Sequence, residues 1–167
     1  MSGMKRSNLK YIMISIIAAV SAFWGLWLGE HESGPLPMKS ILTLIVIIVM
    51  TILALLGNKW KIKFFMVLSI TVIFIFLWCY GNNESHDAYN ECIEKGENVR
   101  IALSEYFKKH HEYPEQLGQL QIQLPGKLIF PPHTLYYSKT KTGYSLFFSD
   151  WLVSHESDET HGFSPHK

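Results

Sequence analysis

The chain has 167 residues, 48% hydrophobic and only 17% charged, well short of the roughly 25% charged residues of a soluble domain. Its formal charge of +1 hides an asymmetry: residues 1–80 hold seven Lys or Arg against Glu30 and Glu32, and residues 81–167 hold eight bases against twelve acids. That pattern excludes a concentrated basic surface for nucleic acid in the second half and points to a membrane-inserted part followed by a water-soluble one.

Three uncharged runs fill the first half: Tyr11 to Gly29, Ser40 to Asn58 and Phe64 to Asn83. A helix rises about 1.5 Å per residue, so about 20 apolar residues cross the hydrocarbon core. In lipid the backbone must satisfy its own hydrogen bonds, which makes helices the expected form. The sequence therefore predicts three transmembrane helices, at about 11–29, 40–58 and 64–83, within a membrane domain of residues 1–83. Lys5, Arg6 and Lys10 precede the first run, and Lys59, Lys61 and Lys63 precede the third. The positive-inside rule then places the N-terminus in the cytoplasm and residues 84–167 outside the cytoplasmic membrane. Trp24, Trp27, Trp60, Trp78 and Tyr80 fall near the run ends, where amphipathic rings favour the headgroup level. "VSA" at Val20–Ala22 loosely resembles a signal-peptide cleavage site, but "FWGLWLG" continues the apolar run and favours an uncleaved anchor. No ionisable residue sits at mid-depth, so nothing marks an ion route. The small residues of Ala18–Ala22 and Gly25 are candidates for helix contacts, including self-association through the membrane helices.

Between Asp87 and His110, apolar residues recur at helical spacing: Ala88, Cys92, Val99, Leu103, Tyr106 and Phe107. A helix of about 24 residues is expected, with a break or kink at Gly81-Asn82-Asn83 and with Gly96 allowing another element to approach closely. On one continuous helix Cys79 and Cys92 stand roughly 20 Å apart, beyond disulfide reach. Tyr113-Pro114 stops the helix, because a residue before proline is pushed out of the α region. His111 or Glu112 is therefore expected in a left-handed cap conformation. Three strands follow in the sequence reading: Lys127–Phe130, Thr134–Ser138 and Tyr144–Ser149. The loop "KTKTG" joins the last two as a hairpin. One long helix on a three-stranded antiparallel sheet gives an α+β external domain over residues 84–151, leaving 152–167 as a flexible polar tail.

Here the residues carry a resemblance. "IALSEYFKKHHEYPEQLGQL", "LPGK" and "LYYSKTKTGYSLFFS" resemble the globular part of type IV pilins and type II secretion pseudopilins, over about residues 88–151. Ala102, Leu103, Tyr106, Tyr113, Pro114, Leu117 and Leu120 stand at the matching positions. The resemblance implies a pilin-like fold and a link to secretion or pilus machinery. It does not extend to prepilin processing, since no glycine-preceded cleavage motif opens any of the apolar runs. The pseudopilin calcium loop is poorly matched by Asp150, Glu156, Asp158 and Glu159.

Seven of the eight histidines lie in the external half: His86, His110, His111, His133, His155, His161 and His166. None has the paired spacing of a dedicated zinc site; adjacent His110 and His111 point about 100° apart on a helix. No hydrolase, zincin, P-loop or dinucleotide fingerprint occurs, so no catalytic, cofactor or metal residue is assigned and no cofactor is expected. The reading is a non-enzymatic bacterial inner-membrane protein whose external domain contacts a protein partner. The alternative is a membrane-anchored immunity or stress-protection protein that binds a toxin or ligand outside.

Overall fold

The computed structural model describes residues 6–32, 37–56, 59–150 and 152–166. Lys5, the span-end residues Gly57 and Asn58, Trp151 and Lys167 lie outside the described residues. The elements are α1 (Arg6–His31), α2 (Met38–Ala54), α3 (Trp60–His110), a 3-10 turn (Leu117–Leu120), β1 (Tyr136–Lys139), β2 (Tyr144–Ser149), β3 (Ser154–Asp158) and β4 (Ser164–His166). The chain forms two compact units that divide after Asn83.

In the first unit the expectation of three transmembrane helices is corrected. By length and composition, two helices are apolar and long enough to cross a membrane: Tyr11–His31 of α1, and α3. At 17 residues α2 is shorter, about 25 Å of rise against the roughly 30 Å of a hydrocarbon core. It ends early because the Leu56 N–H turns back to the Leu53 carbonyl at 3.1 Å, tightening the chain where a helical bond would have continued. The α2 N-terminus is capped from a distance. Pro37 offers no side-chain cap, and the Glu32 carboxylate instead accepts the Lys39 N–H (2.7 Å), the Ser40 N–H (2.8 Å) and the Ser40 hydroxyl. A carboxylate at that position also opposes the positive end of the helix dipole.

Glycines bring α1 and α3 together. A Cβ at Gly25 would stand 2.8 Å from the Phe74 carbonyl oxygen, one at Gly29 would strike the Trp78 carbonyl, and one at Gly81 would strike that of Leu26. The contacts advance in the same direction along both helices, so the two run parallel. This is the close backbone approach that small residues permit in apolar surroundings. Gly25 and Gly29 are thus engaged within the chain. Gly81 also explains why α3 has no break where one was expected: it serves close packing, and the helix runs unbroken for 51 residues. Leu28, Ile47, Ile70 and Phe74 form the buried cluster of this unit.

The second unit packs the later part of α3 on a four-stranded antiparallel sheet of order β1-β2-β3-β4, which corrects the expected three-stranded sheet. β2 is where the alternation of "YSLFFS" put it. β1 starts two residues later than expected and pairs Tyr136 with Phe147 and Lys139 with Tyr144. Residues 127–130 form no strand: the Leu128 N–H is taken by His133 Nδ1 at 3.2 Å, and Gly126 bonds through its carbonyl to the Thr134 N–H at 2.9 Å. The missing strands come from 152–167, where β3 pairs with β2 and β4 with β3.

Tyr89, Cys92, Val99 and Leu103 of α3 meet Leu135, Tyr144, Leu146 and Phe148 in one buried cluster. Full burial of a Val, Leu or Phe side chain stabilises by about 1.5–3 kcal/mol. Gly96 lies on the same stripe, and the ring of Phe163 fills the space a side chain would take. The helix stops as Tyr113-Pro114 requires: His111 has φ 59° and donates its N–H to the Phe107 carbonyl at 2.7 Å, a left-handed cap.

Candidate functional site

Two surface features of the second unit stand out once the core is assigned. The first is a cleft of about 470 Å³ lined by Glu91, Leu117, Ile122, Gln123, Leu124, Pro125, Lys127, His133 and Leu135. Three separated segments build it: Glu91 of α3, the 3-10 turn with the loop after it, and the approach to β1. That loop is anchored at Gly126, whose N–H is accepted by Glu91 Oε2 at 3.1 Å. Gly126 has φ 75°, and a Cβ there would collide with Cys92 Sγ, so only glycine lets the loop lie this close to α3.

The electrostatics of the cleft are graded. Glu91 accepts from Lys95 Nζ at 2.8 Å, and that bond, with the Gly126 N–H second, holds its carboxyl below the usual carboxylate range. Its charge is therefore matched from within the fold. Lys127 and His133 are exposed at the cleft. Because His133 Nδ1 accepts the Leu128 N–H, the neutral ring carries its proton on Nε2, leaving that nitrogen as a donor. Beneath the cleft, burial first and Glu91 second push the Cys92 thiol up to about 12, so it behaves as an inert apolar group.

The second feature is the sheet face opposite α3. Along β2, Leu146 and Phe148 point into the core while Phe147 points outward. Phe147 is 37% exposed and its cross-strand neighbour Tyr136 is 49% exposed, with ring centroids 6.3 Å apart. Glu156 of β3 is paired with Phe147 in the register. An aromatic pair left on a solvent face contributes little to the core and much to a contact surface.

The histidines are dispersed. His155 stacks on Phe148 (4.8 Å) and meets the Tyr89 hydroxyl at 3.0 Å; His110 lies over Tyr106 at 4.3 Å; His111 is the helix cap; and His161 sits beside Asp158 at 3.2 Å. Asp150 and Asp158 are turn anchors. Asp150 accepts the Leu152 and Val153 N–H groups, both at 2.7 Å, and Asp158 accepts those of Thr160 (2.7 Å) and His161 (2.6 Å). Among the described residues, no three His, Cys, Asp or Glu side chains group as metal ligands. Both cysteines are free, Cys79 exposed and Cys92 buried. Neither the cleft nor the aromatic pair was legible as a site in the sequence; for the pair, the one usable signal was an extra aromatic at the outward position of "YSLFFS". No protein-family model, curated protein or solved structure matches the chain.

Proposed function

We propose that this is a non-enzymatic membrane protein that presents its helix-on-sheet unit outside a bacterial cytoplasmic membrane to bind a protein partner. The observation that carries the reading is the exposed Tyr136–Phe147 pair beside Glu156 on the free face of the sheet. It suits a partner surface with apolar side chains and a base opposite Glu156, the aromatic centre and polar rim common to protein interfaces. Membrane attachment is supported by the apolar length of α1 and α3. Lys59, Lys61 and Lys63 precede the apolar run of α3, and Glu84, Asp87 and Glu91 follow it. The positive-inside rule then keeps the start of α3 in the cytoplasm and residues 84 onward outside. A connection to secretion or pilus machinery rests on the pilin-like residues of 88–151 alone, a fold-level analogy.

Photocrosslinkers placed at 136 and 147 in intact cells test the reading. They should capture one protein species that a crosslinker at exposed Thr142 does not, and Phe147→Glu should abolish capture from 136. Equal capture from 142 would sink the proposal. A periplasm-specific reporter fused to the C-terminus should be active; activity from a cytoplasmic reporter alone would reverse the orientation.

A further inference from the structure

The geometry points to the cleft beside Glu91 as a binding site for a small carboxylate with an aliphatic body. Its volume of about 470 Å³ lies within the roughly 300–1,000 Å³ typical of small-molecule sites. Its walls are Leu117, Ile122, Leu124, Pro125 and Leu135, whose side chains offer no hydrogen bond and so select an apolar body. The polar lining is confined to Glu91, Gln123, Lys127 and His133.

The charge of the ligand follows from which of these groups are already engaged. Glu91 is committed to Lys95 and to the Gly126 N–H, so it supplies no strong attraction for a cation. Lys127 brings a full positive charge. His133 brings an Nε2–H donor, its tautomer set by the Leu128 N–H on Nδ1. An ammonium and a ring N–H at an apolar cleft suit an acceptor-only anionic head, and a carboxylate accepts from both at once. A peptide is the poorer fit, because Gln123 is the one amide side chain in the lining to pair with its many backbone amides. This inference stands apart from the protein-contact face on the sheet, which shares no residue with the cleft.

The test is titration of the full chain, reconstituted in lipid nanodiscs, with hexanoate, hexanol and hexylammonium at neutral pH. The readout is the His133 side-chain nitrogen resonances together with the methyls of Leu117 and Leu135. Hexanoate should shift both sets saturably, and hexylammonium should bind at least about tenfold more weakly, the equivalent of 1.4 kcal/mol. Lys127→Glu and Ile122→Glu alter exposed side chains; each should weaken hexanoate by a similar factor while leaving the remaining spectrum in place. Hexylammonium binding as well as hexanoate would overturn the proposal. So would unchanged affinity in Lys127→Glu, or a free-C-terminal peptide that binds where hexanoate does not.

Discussion

Replacing Gly126 by alanine probes the contact on which the cleft loop depends. The residue has φ 75°, where a Cβ costs about 1–2 kcal/mol. Against this, alanine restricts the unfolded chain and returns about 0.4–1 kcal/mol. The larger contribution is steric, since the new methyl falls on Cys92 Sγ and close to the Thr134 Cβ, at 3.2 Å. Overpacking of this kind costs about 1–3 kcal/mol. The net destabilisation is then about 1–4.6 kcal/mol, with the backbone and steric contributions separable by a second substitution. Cys92→Ala removes the sulfur, so Gly126→Ala made in that background should cost measurably less than in the native chain, leaving chiefly the φ penalty. The assay is native-state amide exchange of the α3 segment around Val99–Leu103, read by mass spectrometry on the full chain in nanodiscs. Strict additivity of the two substitutions, or a Gly126→Ala effect below about 0.5 kcal/mol, the size of an ordinary surface change, would refute the reasoning.

The buried thiol carries a pH signature. Unfolded, Cys92 titrates near its usual value of about 8.5, and folded it is pushed to about 12. Its stabilisation is therefore complete below about pH 8.5 and is lost as pH rises from there toward 12. Amide exchange compared at pH 7.5 and 10 should show a smaller pH-dependent loss in Cys92→Ala than in the native chain, and identical losses would contradict the burial argument. His111→Gly should stabilise the second unit by about 0.5–1 kcal/mol, since glycine relieves the left-handed φ at some entropic cost, as an upward shift in its thermal midpoint would show. Glu32→Ala should cost about 0.5–2 kcal/mol as a lost N-cap and speed exchange of the Lys39 and Ser40 amides more than any others in α2.

What the sequence made legible depended on how strongly each segment was patterned. The stripe from Ala88 to Leu103 and the alternation of β2 each had one apolar solution, and both appear as read. The cap at His111 followed from the restriction that Pro114 places on Tyr113. By contrast, "KLIF" looked like a strand because its composition is apolar, yet its Leu128 N–H is taken by His133 and the flanking Gly126–Thr134 bond closes the segment into a loop. The strands in 152–167 gave no alternation to read, since β3 is "SHESD" and buries only Ser157. The available signal was long-range: a lone Phe163 in a polar stretch and a lone glycine, Gly96, on a helix stripe, which turn out to be partners. The cleft was hidden for the same reason, because Glu91, Lys127 and His133 acquire meaning only when three distant segments converge. The second expected span, 40–58, failed on length, since an uncharged run is not the same as a helix of that run's full extent.

The seating of Phe163 against Gly96 makes the C-terminal end part of the scaffold. Removing residues beyond Ser149 would take away half the sheet and the ring that covers Gly96. It would also turn β2 from an interior strand into an edge with a row of open amides and carbonyls, the usual seed of strand-to-strand aggregation. A chain shortened to the segment that looks pilin-like would thus be a sticky fragment, and its failure to bind a partner would say nothing about the partner.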